Sequence, residues 1–86
     1  MSSRYEVLRN GTRVCIAGIS GDGVLTTSLS YLKGREVFYF RIGGIDGGSH
    51  VKWHVPDITV GDEITIRVLP PGEFDAPDQT SDPAGD

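Results

Sequence analysis

Short runs of alternating hydrophobic and polar residues make up most of the chain, and glycine-rich segments separate them. Alternation with a period of two, in runs rich in β-branched and aromatic residues, is typical of half-buried strands. No window of helical length shows an apolar stripe with a period of about 3.6 residues. The pattern predicts six strands, at residues 4–9, 12–19, 24–32, 35–42, 50–55 and 63–69.

The segments between these strands have the composition of turns. The Asn-Gly pair at 10–11 favours a tight hairpin turn because both residue types tolerate positive φ. Residues 20–23 and 33–34 predict two further turns, and residues 43–49 predict a longer, flexible hairpin loop. Pro56 ends the fifth strand because it lacks the backbone N–H that a central strand requires.

Successive side chains of a strand point to opposite faces of the sheet, so residue parity predicts which face is buried. In the fourth strand, Phe38, Phe40 and Ile42 share one face and are predicted to face the core. Tyr39 and Arg41 share the opposite face. This alternation predicts a sheet that is covered on one side and open to solvent on the other.

The fifth and last strands alternate in the same way, and each is predicted to bury one face. The residues predicted to face inward are Val51, Trp53, Val55, Ile64, Ile66 and Val68. The two histidines, His50 and His54, and Lys52 lie on the opposite, polar face of the fifth strand. Trp53 is therefore predicted to be the largest core residue and not an exposed binding platform.

These strands predict an all-β protein with a single small antiparallel domain over residues 1–70, either a compact sandwich or a partly open barrel. The turns favour a meander order. Residues 71–86 are acidic, rich in proline and almost free of bulky apolar residues, so they are predicted to form a disordered tail. Phe74 is the exception and is expected to be able to dock locally.

Charge is distributed unevenly along the 86 residues, whose net charge is −4. Every lysine and arginine precedes Pro70, and five acidic residues follow Gly72, so the body is close to neutral. Such a body lacks the positive field that non-specific nucleic-acid binding needs. No apolar run approaches the roughly 18 residues of a membrane span or a signal-peptide core, and a cytoplasmic protein is expected.

Catalytic and metal-binding chemistry has little support in the sequence. His50 and His54 lie about 13 Å apart along one strand, too far to reach one ion without a bend. Cys15 has no partner for an intrachain disulfide, and its apolar neighbours predict an unreactive thiol. No serine or threonine stands beside a base in a recognisable arrangement. We therefore expect no enzyme activity and no cofactor.

The most plausible contact surface comprises Tyr39, Arg41, Asp46 and Lys52. The first functional hypothesis is a non-catalytic protein-interaction module, an accessory, inhibitor or immunity-type partner, that binds through an exposed sheet face or edge strand. A homodimer through an edge strand is a related expectation. The alternative is a small-ligand or carbohydrate-binding β module that uses Tyr39, Arg41 and Asp46, joined by Trp53 only if its ring is exposed.

Overall fold

A computed structural model describes residues 3–81, which form seven strands and no helix. The strands are β1 (Ser3–Arg9), β2 (Thr12–Ile19), β3 (Gly23–Leu32), β4 (Val37–Asp46), β5 (Ser49–Trp53), β6 (Ile64–Leu69) and β7 (Gln79–Ser81). The prediction of a small, all-β antiparallel domain is confirmed. Within the described part of the chain, nothing resembles a membrane-spanning helix.

The strands form two antiparallel sheets, one in the order β2-β1-β6 and the other in the order β3-β4-β5-β7. The predicted meander holds only inside each sheet. The chain passes to the second sheet after β2 and returns to the first after β5, where β6 pairs with β1; after β6 it crosses again, and β7 pairs with β5. Tight turns keep β1 beside β2 and β3, β4 and β5 side by side, whereas the connections 20–22, 54–63 and 70–78 move the chain between the sheets.

The predicted loop at 43–49 is replaced by a longer strand and a short turn. β4 continues through Gly43 and Gly44 to Asp46. Only Gly47 and Gly48 form the turn, with φ of 61° and 91°, in the left-handed region that tight hairpin turns require. The start of β4 also differs from the prediction, since residues 33–36 form the preceding turn and the strand begins at Val37.

The core lies between the two sheets and has the composition that parity predicts for β4 and β5. Trp53 is only 1% exposed, which confirms its place in the core. The contacting buried residues are Val7, Cys15, Ala17, Phe40, Ile42, Val51 and Trp53. The hydroxyls of Tyr5 and Thr27 hydrogen-bond across the two sheets. Burial of the indole is the largest single apolar contribution to this small core.

β6 differs from its prediction, because only Ile64 of its three inward residues packs against the core. Ile66 and Val68 pair with Val7 and Tyr5 and so share the inner face of the first sheet. Ile66 is nevertheless 48% exposed and Val68 is 83% exposed. The second sheet does not extend over the outer part of β6, so the sandwich is open there. Residue parity therefore predicts correctly which face of the sheet Ile66 and Val68 occupy. Their burial depends on how far the second sheet extends over that face.

The structure also differs from the predicted disordered tail over residues 71–81, while residues 82–86 lie outside the described part. The C-terminal segment (70–81) is fixed to the body at several points. Arg4 donates hydrogen bonds to the carbonyl oxygens of Pro70 (2.7 Å) and Glu73 (2.8 Å). The backbone of Asp75 donates to the carbonyl of Ile16 at 2.8 Å, and the Asp75 carboxylate accepts from the Ile16 N–H at 2.8 Å.

Phe74 explains why this proline-rich segment is ordered as far as Ser81. Its ring packs against the core and lies over Gly18, where an added Cβ would be 2.5 Å from the ring. The segment then reaches β7, which pairs with β5. One bulky apolar side chain and a series of backbone hydrogen bonds outweigh a composition that by itself favours disorder.

Candidate functional site

The outer face of the second sheet brings together three of the four residues predicted to bind. Tyr39 and Arg41 project from β4 on the side away from the core, and both are exposed. Lys52 lies on β5 opposite Gly43, which has the same parity as Arg41. We call the solvent-facing residues of β3, β4 and β5 the outer face. They are Val24, Thr26, Ser28, Ser30, Leu32, Val37, Tyr39, Arg41, Gly43, Ile45, His50 and Lys52.

Glycines in β4 leave a shallow depression in this face. Its volume is about 450 Å³, and Arg41, His50 and Lys52 are among its lining residues. Gly43 and Gly44 form its floor because they carry no side chains. The backbone of a neighbouring strand lies close to each glycine. A Cβ added at Gly43 would be 2.7 Å from the Val51 carbonyl oxygen, and a Cβ added at Gly44 would overlap the Val24 carbonyl oxygen.

The electrostatics of the outer face are cationic. Within residues 3–81, neither Arg41 nor Lys52 forms an ion pair, whereas three of the four arginines of the first sheet contact a carboxylate. There, Glu6 accepts from Arg67 at 2.9 Å and lies 3.9 Å from Arg13. The two unpaired cations of the outer face are therefore free to meet carboxylates or other acceptors of a ligand or partner.

Asp46, the fourth predicted residue, lies on the opposite face and has a structural position. Its carboxylate accepts hydrogen bonds from the backbone N–H groups of Ser20 (3.2 Å) and Gly21 (2.8 Å). These bonds hold the connection between β2 and β3 against the end of β4. The sequence does not separate Asp46 from Tyr39 and Arg41, because the loop predicted at 43–49 conceals its strand parity.

Trp53 and Cys15, the two other candidate residues, are buried in the core. The Trp53 indole is buried, and its N–H donates to the carbonyl oxygen of Asp75 at 2.9 Å, so Trp53 is not a stacking platform. Burial, together with smaller effects of the nearby Asp75 and Asp78 carboxylates, raises the pKa of the Cys15 thiol to about 11. A protonated, buried thiol is a poor nucleophile at neutral pH.

Metal-ligating side chains do not converge within residues 3–81, where no group of three histidine, cysteine, aspartate or glutamate side chains has suitable geometry. His50 lies in β5, and His54 follows its end. The backbone N–H of His54 donates to the Asp78 carboxylate at 2.6 Å, which attaches the C-terminal segment to this end of β5.

The sequence reasoning predicted an exposed edge strand but did not identify it as β3, which lies beside the outer face. β3 ends its sheet, and among the described residues it pairs only with β4. Leu29 and Tyr31 project from its inner side but are 54% and 52% exposed. The ten residues of β3 include no charge and no proline. That composition, visible in the sequence, is the signal that identifies an unprotected edge strand.

Comparison with known proteins does not connect this geometry to a characterised site. No protein-family model matches the chain, and neither the curated proteins nor the solved structures give a significant match.

Proposed function

We propose that this protein is a non-catalytic interaction module that binds a protein partner through the second sheet. The observation that carries the proposal is the adjacency of two surfaces. The outer face presents Tyr39, Arg41 and Lys52, and directly beside it runs β3, a ten-residue edge strand without charge. An exposed edge offers backbone hydrogen bonds, and the neighbouring side chains supply selectivity.

Exposed apolar side chains support binding on this side of the molecule. Most of the large, exposed hydrophobic residues lie on β3 and β4, and Val24, Leu32 and Tyr39 belong to the outer face itself. Natural edge strands usually carry lysine, proline or a bulge that prevents pairing. β3 has neither lysine nor proline, and its pairing with β4 is regular over all ten residues.

The charge of the proposed partner follows from the outer face and not from the C-terminal acids. The carboxylates of Asp75 and Asp78 accept hydrogen bonds from the backbone of this chain, at Ile16 and His54. Arg41 and Lys52 have no such internal partner among residues 3–81. A surface with acidic or neutral polar groups therefore complements the outer face better than a basic one.

A reducing, cytoplasmic location agrees with the free Cys15 thiol.

Site-specific photo-crosslinking in the native host tests this proposal. A benzophenone amino acid at position 39 reports contacts of the outer face, and the same group at position 65 reports the exposed outer side of β6 as the matched control. We expect a discrete adduct from position 39 that Arg41→Glu abolishes, and no such adduct from position 65. Equal labelling from both positions, or none from position 39, would overturn the proposal.

The depression over Gly43 and Gly44 favours a second function, binding of a small polar ligand such as a carbohydrate. Hydroxyls of Thr26 and Ser28 lie near the cations Arg41 and Lys52 around a floor of backbone. Nuclear magnetic resonance titration with a panel of mono- and disaccharides tests this function. Shifts of the Gly43 and Gly44 amides that saturate, and that Lys52→Ala weakens, support it, while unchanged amide signals across the panel contradict it.

A further inference from the structure

We infer that the partner of the β3 edge is a second copy of this chain, paired antiparallel along β3 about a two-fold axis at Ser28. This inference rests on the proposed function, in which the second sheet forms the binding surface. It names the occupant of the edge, and it leaves the outer face available to another protein. The dimer would contain one continuous sheet in which β3 and its symmetry mate are central strands.

The sequence of β3 is self-complementary about Ser28. In an antiparallel pair centred on this residue, position 24 meets position 32 of the other copy, and position 25 meets position 31. Val24 therefore lies opposite Leu32, and Leu25 lies opposite Tyr31, so apolar residues meet at both ends. Between them, polar Thr26 meets Ser30, and Thr27 meets Leu29 in the one mixed pair. Apolar and hydroxyl-bearing cross-strand pairs each stabilise a sheet, and the two-fold axis forms every such pair twice.

The charges that flank β3 are also complementary in this register. Asp22 precedes the strand and Lys33 follows it, and both are exposed. Antiparallel pairing about Ser28 brings Lys33 of one copy within one position of Asp22 of the other, at both ends of the interface. The acids Glu73, Asp75 and Asp78 belong to the C-terminal segment, which packs on β2 and β5 and not on β3. Among residues 3–81, no acidic cluster therefore opposes self-association.

The other outer strands are less suited to pairing with themselves. Asp75 already bonds to the backbone of β2 at Ile16. The six residues of β6 include Arg67, and Pro70 follows the strand at once. β7 has only three residues. β3 is thus the longest outer strand and carries none of the features that usually prevent pairing.

Sedimentation velocity of the full chain over a wide concentration range tests the inference. We expect a reversible monomer–dimer equilibrium for the wild-type chain. Two double variants test the register, because positions 26 and 30 face each other across the proposed axis. Thr26→Lys with Ser30→Lys opposes like charges twice, and Thr26→Glu with Ser30→Lys opposes unlike charges twice. Within one copy the two positions are about 13 Å apart, so their mutual effect is small.

We expect the lysine–lysine variant to be monomeric and the glutamate–lysine variant to remain dimeric. Circular dichroism and the emission of the buried Trp53 show that each variant is folded. A wild-type chain that stays monomeric at every concentration, or two variants with the same oligomeric state, would overturn the inference. Either result leaves the crosslinking from position 39 unaffected, so failure of the dimer is distinguishable from failure of the proposed function.

Discussion

The indole N–H of Trp53 donates a hydrogen bond to the carbonyl oxygen of Asp75, 2.9 Å away. This contact joins the largest buried side chain of the core to the C-terminal segment. Asp75 also bonds to Ile16 through both its backbone and its carboxylate. Residues 70–81 therefore belong to the folded body, and their loss would uncover the edge of β2 and leave the Trp53 N–H without its partner.

The first prediction concerns Phe74, the apolar residue that docks this segment. Phe74→Ala removes a half-buried ring from the core and is expected to destabilise the protein by about 2 kcal/mol. Thermal denaturation followed by circular dichroism measures the effect, with a Tm lower by roughly 10 °C in a domain of this size. Tyr39→Ala, which removes an exposed ring, is the control and should change Tm little. An unchanged Tm for Phe74→Ala would mean that the segment does not contribute to folding.

The second prediction concerns Asp62, whose carboxylate joins the end of β1 to the 54–63 connection. Hydrogen bonds from Asn10 and from the Thr59 backbone, with the nearby Arg9 guanidinium, lower its pKa from 3.8 to about 2. A lowered pKa stabilises the folded state above the unfolded pKa, and this stabilisation is lost as pH falls through the folded pKa. Asp62→Asn should therefore lower Tm at neutral pH, and the difference from wild type should close between pH 4 and pH 2. Melting curves across that range check this, and a constant difference would contradict the assigned role.

The third prediction concerns Gly44, which forms the floor of the depression. A methyl group at this position would overlap the Val24 carbonyl oxygen, so Gly44→Ala must separate β3 from β4 at the site of contact. We expect a loss of about 2–3 kcal/mol. Gly34→Ala is the matched control, because an added Cβ meets nothing there, and its effect should stay within about 0.5 kcal/mol. Urea titration compares the two variants, and equal stabilities would refute the close approach.

The fourth prediction separates structure from binding at the end of β4. Asp46→Ala removes two hydrogen bonds from the 20–22 connection and should cost about 1–2 kcal/mol in stability. Because Asp46 does not face the partner surface, the photo-crosslink from position 39 should persist in this variant. Arg41→Ala should show the reverse pattern, with little change in stability and a weaker adduct. Loss of the adduct in a folded Asp46→Ala protein would show that Asp46 acts in binding.

Local patterns in the sequence were sufficient to predict β1 to β6, but not β7, and to predict the buried faces of β4 and β5. Trp53 and Ile42 lie in the core because alternation fixes a side chain's face once the strand is known. The same rule predicts the face of Val68 but not its 83% exposure, because exposure depends on the extent of the other sheet. The two-sheet topology is likewise absent from local patterns, since turns 10–11 and 20–22 look alike although only the first joins paired strands.

Residues of the candidate site were predictable where the sequence shows the alternation of a strand. They were not predictable where contacts between distant parts of the chain determine the structure. Tyr39 and Arg41 lie together on the outer face because they are two positions apart in one strand. Asp46 was misplaced with them because the glycines of β4 resemble a loop in composition. The order of residues 71–81 depends on contacts of Phe74 and Asp75 with residues more than 50 positions earlier in the chain. Such contacts leave no local pattern.

Hydrogen exchange of β3 at low and high protein concentration tests the central claim most directly, that the β3 edge pairs with a second copy of this chain. In the monomer, the edge amides of β3 that point away from β4 lack a partner among the described residues and should exchange quickly. We predict that protection of residues 23–32 rises with concentration while that of β6 does not change. Exchange from β3 that is independent of concentration, or protection that appears at β6 instead, would contradict the account.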